Sequence, residues 1–119
     1  MIIVLFSMST YHKMNRMTSI ELKALRFLRD KGLRAIKTSG KGIPDFFIIG
    51  SDDKIEIKTI IGGYITFSKA QKERFSDNTI ILAFNYDFDE PILGKKWKDI
   101  KNNDFVVNKK GKKIKIKYE

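Results

Sequence analysis

Residues 42–59, GIPDFFIIGSDDKIEIKT, decide how this chain is expected to fold. An apolar run, DFFIIG (45–50), is followed by the turn residues SDD (51–53) and by KIEIKTI (54–60), in which apolar and polar residues alternate. The first run predicts a strand that is buried on both faces, and the alternation predicts a strand with one polar face. Together they predict a β-hairpin.

The pairing register of this hairpin determines which polar side chains meet. Residues two apart on a strand share a face, so Glu56 and Lys58 point the same way. Asp45 points to the same face if it lies opposite Glu56 or opposite Lys58. If it lies opposite Ile57 instead, it points to the other face. The favourable registers correspond to turns at 50–51 or at 50–53, and both turn lengths are common in hairpins.

Outside the hairpin, periodicity and capping residues predict a mixed α/β domain. Thr18 and Glu21 have capping-box spacing before an apolar stripe, which predicts a helix over 19–31. Ser68 is expected to cap a second helix over 69–75. Further predicted segments are strands at 33–38 and 79–86, a short helix within 95–102 and a closing basic β-hairpin within 105–119. The order α-β-β-β-α-β predicts a mixed central sheet flanked by helices, followed by this hairpin.

Length and composition indicate one small globular domain. The chain has 119 residues, of which 42% are hydrophobic, and we expect an N-terminal extension of uncertain order (1–17) followed by a single domain (18–119). The absence of cysteine excludes disulfides and thiolate metal sites and fits a cytoplasmic protein. The apolar residues 1–6 are too few to span a membrane.

A formal net charge of +10 favours a polyanionic partner, most often nucleic acid. Near the end of the chain, KIKIKY (113–118) alternates lysine with apolar residues, so its lysines line one face of a strand. Such a row suits contacts with a phosphate backbone, although it would also discourage pairing of an exposed sheet edge.

The acidic and basic side chains of the hairpin can be interpreted in two ways. If Asp45 and Glu56 converge, they form an oxygen-rich site for Mg²⁺ or Mn²⁺, with the backbone carbonyl of Ile57 as a further ligand. Lys58 could then position or activate a water molecule or neutralise a phosphate. The alternative is structural: Glu56 and Lys58 form a solvated face, and Asp45 only ends a loop.

The same residues carry a resemblance to a known family. Pro44-Asp45, ten intervening residues and Glu56-Ile57-Lys58 resemble the motif of the PD-(D/E)xK nuclease superfamily. A helix with an early acid, Glu21, precedes the motif, and a helix with Ser68 and Gln71 in an S-x-x-Q arrangement follows it. The similarity covers roughly residues 18–86, which correspond to the αβββαβ core of that superfamily, a fold of restriction-endonuclease type.

Two branches of the superfamily look similar. Archaeal Holliday junction resolvases resemble this chain in size, in basic charge, in the helical acid and in a serine before the motif, which Ser39 matches. Virus-type replication-repair (VRR-NUC) nucleases share the S-x-x-Q arrangement and the small size.

This resemblance implies a Mg²⁺-dependent endodeoxyribonuclease of DNA recombination or repair, in which Mn²⁺ can replace Mg²⁺. Asp45 and Glu56 would bind the metal, Lys58 would act at the water or phosphate, and Gln71 would assist. Glu21 would complete the acidic cluster. Its other expected role is that of the capping-box acid of the first helix, and the two roles need not exclude each other. Residues expected to contact DNA are Ser39, Lys41, Lys69, Lys72, Lys113 and Lys115.

The expected substrate is branched or junction DNA, cut by a homodimer, because a junction has two-fold symmetric cleavage sites and a short chain has little surface of its own. A flap or repair nuclease, a non-catalytic nucleic-acid-binding module and an RNA-associated basic protein are the alternatives.

Overall fold

The computed structural model describes residues 18–38 and 45–119. In this part of the chain, two helices, eight strands and one 3₁₀ helix follow one another. The helices are α1 (Ser19–Asp30) and α2 (Lys69–Arg74), and the 3₁₀ helix is Trp97–Asp99. The strands are β1 (Ala35–Lys37), β2 (Phe46–Ile48), β3 (Lys54–Thr59), β4 (Tyr64–Phe67), β5 (Ile80–Phe84), β6 (Leu93–Lys96), β7 (Phe105–Val107) and β8 (Lys113–Tyr118).

The strands form two sheets. The larger has the order β1-β2-β3-β5-β6, with β3 and β5 parallel and the other neighbours antiparallel, so it is a mixed sheet. The smaller has the order β4-β8-β7, in which β4 and β8 are parallel and β7 and β8 form the predicted C-terminal hairpin. The expected mixed α/β class with a mixed sheet is therefore confirmed.

Helix α1 covers one face of the larger sheet. Its first turn is stabilised by the predicted capping box, in which Thr18 accepts from the backbone N–H of Glu21 and Glu21 accepts from that of Thr18. The apolar stripe of the helix is buried against β1, β2, β3 and β5. This first core cluster contains Ile20, Ala24, Leu25, Leu28, Ala35, Phe46, Ile48, Ile55, Leu82 and Phe84.

The smaller sheet packs on the opposite side of β5. Side chains alternate along a strand, so Leu82 and Phe84 join the first cluster while Ile81 and Ala83 point away from it. These last two residues belong to a second core cluster with Ile65, Phe67, Leu93, Trp97, Ile100, Val106, Ile114 and Ile116. Strand β5 is thus buried on both faces.

The prediction that residues 45–50 are buried on both faces is wrong. In β2, Phe46 and Ile48 are buried, but Phe47 is 37% exposed and the following Ile49 is 39% exposed. The reason is that the second core cluster contains residues of β5 and of the smaller sheet and none of β2. The layer that covers β5 does not reach this strand.

The segment around Trp97 also differs from the sequence prediction. Residues 93–96 form strand β6, which pairs with β5, and only Trp97–Asp99 are helical. Trp97 is 3% exposed and lies in the second cluster, so it is a core residue.

Some predicted features cannot be placed. The extension 1–17, Pro44 and the predicted DNA-contacting residues Ser39 and Lys41 lie outside the described residues. Within the described ranges, no helix has the length and apolar character needed to cross a membrane.

Candidate functional site

The register of the β2–β3 hairpin is the first of the two favourable ones. Phe46 lies opposite Ile55 and Phe47 opposite Lys54, so one further step along the ladder brings Asp45 opposite Glu56. The turn is closed by a hydrogen bond of 3.2 Å from the backbone N–H of Ile48 to the carbonyl of Asp53. In this register, Asp45 and Glu56 point to the same side of the sheet.

Asp45 is held in place at the start of β2 from both neighbouring strands. Its Oδ2 accepts a 2.7 Å hydrogen bond from the backbone N–H of Ile57, and its own carbonyl accepts from the backbone N–H of Thr38 at 3.0 Å. Burial raises the pKa of the Asp45 carboxyl group, although the Ile57 N–H acts in the opposite direction. The contact seen for Ile57 is therefore one that orients Asp45, and its carbonyl as a metal ligand stays a prediction.

Glu56 is a buried carboxyl group, with 6% of its surface exposed. Its Oε2 accepts from Gln71 Nε2 at 3.3 Å, whereas its buried Oε1 has no hydrogen-bond partner among the described residues. Burial raises the pKa of Glu56 to about 7, and repulsion by the neighbouring Asp45 adds to this effect. A buried oxygen without a partner is costly unless a donor or a cation satisfies it.

Lys58 projects from β3 on the same side as Glu56. Its Nζ donates to the carbonyl of Thr66 at 2.7 Å and to Gln71 Oε1 at 2.8 Å, and it lies 4.9 Å from the centre of the Phe67 ring. Burial lowers the pKa of this ammonium group, because the charged form loses hydration. The side chain is thus fixed in one orientation next to the two carboxylates.

Gln71 connects the two side chains of β3 to helix α2. Ser68 and Gln71 form a capping box: Ser68 Oγ accepts from the backbone N–H of Gln71 at 3.1 Å, and Gln71 Oε1 accepts from that of Ser68 at 2.9 Å. Because Oε1 also accepts from Lys58, the amide nitrogen must face Glu56. The predicted N-cap at Ser68 is confirmed, and the same cap orients the amide toward Glu56.

Glu21 approaches the site through a lysine that the sequence prediction did not include. Lys37 Nζ lies 2.5 Å from Glu21 Oε2 and 4.0 Å from Asp45 Oδ1, so it bridges the two acids. Burial acts to raise the pKa of Glu21, but the hydrogen bonds from Lys37 and from the Thr18 backbone outweigh it and the pKa is lowered. The alternation in LRAIKT (33–38) could have predicted this contact, because it places Lys37 on the same face of β1 as Ala35, toward α1.

The acidic side chains form a pair rather than a larger group. Among residues 18–38 and 45–119, no three side chains of the His, Cys, Asp or Glu types lie close enough together to hold a metal ion. The contacts of Glu21 are with its helix cap and with Lys37, and its role as a metal ligand stays a prediction.

The remaining predicted residues lie on the smaller sheet and on α2. Lys113 and Lys115 are exposed on β8. Lys69 is exposed on α2, and Lys72 lies with its Nζ 4.9 Å from the centre of the Tyr118 ring. None of these four lysines touches Asp45 or Glu56 in a hydrogen bond or ion pair within the described residues, so their predicted role concerns binding rather than chemistry.

The donor set fits a hard divalent cation. Asp45 and Glu56 provide oxygen atoms on one side of the sheet, and the buried Oε1 of Glu56 is the atom that most needs a partner. Carboxylate oxygens are the ligands preferred by Mg²⁺ and Mn²⁺. A bound cation would also relieve the mutual repulsion that raises the pKa of Glu56.

Comparison with known proteins adds no relative. No protein-family model matches the chain, and neither the curated proteins nor the solved structures give a significant match.

Proposed function

We propose that this protein is a metal-dependent DNA endonuclease of the PD-(D/E)xK type, which hydrolyses phosphodiester bonds in branched DNA as Holliday junction resolvases do. The proposal depends above all on the buried Oε1 of Glu56, which has no partner in the described chain and lies on the same side as Asp45. A structural hairpin would expose such a carboxylate to water instead of burying it beside a second acid.

Each side chain of the site would have a separate role. Asp45 and Glu56 would hold a Mg²⁺ ion, which supplies a bound water of lowered pKa and stabilises negative charge on the phosphate. Ile57 orients Asp45 through its N–H, and Gln71 orients Glu56 through its amide. These contacts fix the carboxylates before any substrate arrives, so little reorganisation is needed in the reaction.

Lys58 is suited to act on the water or the phosphate. An ammonium group has three N–H donors, and its contacts with Thr66 and Gln71 use two of them. The third can donate to an oxygen of the scissile phosphate or to the attacking water. Because burial lowers the pKa of Lys58, its proton is also released more readily than that of an exposed lysine.

The proposed substrate follows from charge and size. A net charge of +10 suits a polyanion, and the exposed lysines of α2 and β8 can bind phosphates without reading sequence. Two copies of the chain would present two sites related by two-fold symmetry, which matches the symmetry of a four-way junction. Sedimentation of the protein with and without junction DNA tests the homodimer.

The central test is cleavage of end-labelled junction, flap and linear duplex DNA with Mg²⁺ or Mn²⁺. Asp45→Asn and Glu56→Gln are each expected to abolish cleavage and leave DNA binding largely intact. Asp52→Asn is the matched control, because Asp52 is an exposed acid in the turn of the same hairpin. If the wild-type protein cuts none of these substrates with either metal, the enzyme proposal is wrong and a non-catalytic nucleic-acid-binding module becomes the better account.

One observation favours a second candidate, a flap or repair nuclease of VRR-NUC type. The S-x-x-Q arrangement is one of the features that this branch shares with the chain, and here Gln71 contacts both Glu56 and Lys58. The same substrates separate the candidates: faster cleavage of the flap than of the junction supports the VRR-NUC type.

A further inference from the structure

The outer face of the smaller sheet combines aromatic and basic side chains. On each strand, alternate residues enter the second core cluster, namely Ile65, Phe67, Val106, Ile114 and Ile116. The residues between them point outward and are at least partly exposed: Tyr64 and Thr66 on β4, Lys113, Lys115 and Lys117 on β8, and Phe105 and Val107 on β7. We call these seven residues the outer face.

Aromatic and basic residues alternate across the strands of the outer face. Lys115 is paired with Tyr64 on one side and with Phe105 on the other, so an aromatic residue, a lysine and a second aromatic residue form one row across the sheet. Adjacent strands are about 4.8 Å apart, so the two rings of this row lie on the order of 10 Å from each other. Tyr64 is 41% exposed and Phe105 is 44% exposed, so both rings are accessible to a ligand.

Two lysines of the outer face lie over these rings. Lys115 Nζ is 5.7 Å from the centre of the Tyr64 ring, and Lys113 Nζ is 4.1 Å from that of Phe105. Cation–π contacts at exposed sites are weak, so a phosphate can draw the ammonium groups away and uncover the rings. Phosphate binding and ring stacking would therefore assist each other.

The charge of this region favours an anionic partner. Strands β4, β7 and β8 contain three lysines and no acidic residue. The hairpin as a whole, residues 104–119, contains six lysines and two acidic residues, Asp104 and Glu119, which flank β7 and β8 at one end of the sheet. Lysines next to exposed rings bind phosphates and bases at once, the combination that proteins use for single-stranded nucleic acid.

The rings distinguish a single strand from a duplex. In a duplex, each base is stacked on its neighbours, so its face is not available to a side chain. An unpaired base has a free face that an aromatic ring can stack on, whatever its sequence. Lysines alone would suit both forms of DNA, whereas Tyr64 and Phe105 contribute only where bases are unpaired.

The outer face and the candidate site meet at β4. Thr66 belongs to the outer face, and its carbonyl accepts a hydrogen bond from Lys58 Nζ. Tyr64 lies two residues from Thr66, about 7 Å along the strand. Lys58 reaches β4 from its inner side, where it also lies over the Phe67 ring, so a DNA strand that crosses the outer face at Tyr64 would run past the edge of the candidate site.

We infer that the outer face of the smaller sheet binds single-stranded DNA, with bases stacked on Tyr64 and Phe105 and phosphates held by Lys113, Lys115 and Lys117. Binding by this face does not require cleavage. The consequence for cleavage rests on the proposed function: the preferred substrates would be branched DNAs with an unpaired segment next to the cleavage site.

The test compares binding of labelled oligothymidine, an abasic oligomer of equal length, a duplex and an RNA oligomer by fluorescence anisotropy. Tyr64→Leu and Phe105→Leu are each expected to weaken binding of oligothymidine by about fivefold to a hundredfold and to leave the abasic oligomer unaffected. Tyr64→Phe and Phe105→Tyr retain a ring and should retain binding. Lys115→Gln should weaken binding of both oligomers.

The matched control is Tyr86→Leu, because Tyr86 is 64% exposed and lies outside the smaller sheet. The inference would be overturned if Tyr64→Leu and Phe105→Leu bound oligothymidine as tightly as the wild type does. It would also be overturned if the wild type bound the abasic oligomer or the duplex as tightly as oligothymidine. Tighter binding of RNA that depends on the same rings would overturn the assignment to DNA. Thermal melting of each variant confirms that it is folded.

Asp45→Asn separates this inference from the proposed function. This variant is expected to bind oligothymidine as the wild type does. Binding without any cleavage by the wild-type protein would refute only the endonuclease proposal, whereas cleavage of junctions without ring-dependent binding would refute only the present inference.

Discussion

At Glu56, two physical effects act on one carboxyl group in the same direction. The side chain is buried, which disfavours its charged form, and Asp45 repels it from the neighbouring strand, so its pKa rises to about 7. The Gln71 amide satisfies one of its oxygens and leaves the other without a partner. Glu56 is therefore the residue at which stability and the proposed activity are in direct conflict.

The pKa of Glu56 gives a prediction about stability and pH. The folded-state pKa, about 7, lies above the value of 4.5 for an ordinary Glu, so the folded state holds the proton more tightly than the unfolded state. This contribution to the free energy of unfolding is present below about pH 4.5 and is lost as the pH rises to about 7. The free energy of unfolding falls by about 3 kcal/mol over this pH range.

Glu56→Gln should remove this loss, because an amide of the same shape does not ionise. We expect the variant to be more stable than the wild type at about pH 8 and to differ less from it at about pH 5, in urea denaturation with EDTA present. Glu73→Gln, at an exposed position on α2, is the control. Added Mg²⁺ should stabilise the wild type more than Glu56→Gln. If the free energy of unfolding changed with pH in the same way in the wild type and in Glu56→Gln, the raised pKa of Glu56 would be contradicted.

At the scale of elements, α2 is the weakest part of the site. It has six residues and none of them is buried, so packing contributes little to its stability. Its first turn is stabilised by the Ser68–Gln71 capping box, and the same Gln71 holds Lys58 and Glu56. The orientation of two β3 side chains therefore depends on a short helix that depends on its cap.

Ser68→Ala should loosen α2 and lower cleavage, whereas Ser68→Thr should preserve both. The expected cost of the lost cap is about 1 kcal/mol. Thr18→Ala removes the equivalent cap of α1, but that helix has four buried residues and should stay ordered. Hydrogen exchange of the helix amides is the measurement. Unchanged protection of α2 in Ser68→Ala would show that the cap is not what holds this helix.

At the scale of the whole molecule, two core clusters share one strand. Leu82 and Phe84 of β5 point into the first cluster, and Ile81 and Ala83 point into the second. Neither cluster can come apart without exposing one face of β5. We therefore expect the described domain to unfold as one cooperative unit.

Trp97, the single tryptophan, reports on the second cluster, because it packs on Phe67 and Phe75 with ring centres 4.9 and 5.2 Å away. Its fluorescence and the far-ultraviolet circular dichroism should give the same urea midpoint. Leu25→Ala in the first cluster and Ile65→Ala in the second should each lower the free energy of unfolding by about 2–5 kcal/mol and shift both signals together. Separate midpoints would show that the clusters unfold independently.

Local patterns in the sequence were sufficient to predict several features of the structure. Both helix caps were predicted at Thr18 and Ser68, because a capping box involves residues only three apart. The alternation of β8 and the closing hairpin were predicted for the same reason. The register of the hairpin was narrowed to two possibilities, Asp45 opposite Glu56 or Asp45 opposite Lys58, since both bring the two carboxylates to one side of the sheet.

Only the tertiary structure decided which of these patterns are buried and which side chains meet. The run DFFIIG is as apolar as a fully buried strand, yet Phe47 is exposed, because the second layer packs on β5 and does not extend to β2. The contact of Gln71 with Glu56 joins residues 15 positions apart, and that of Lys37 with Glu21 joins residues 16 positions apart. Local periodicity determines which face of its own element a side chain occupies, and the packing of layers determines what that face meets.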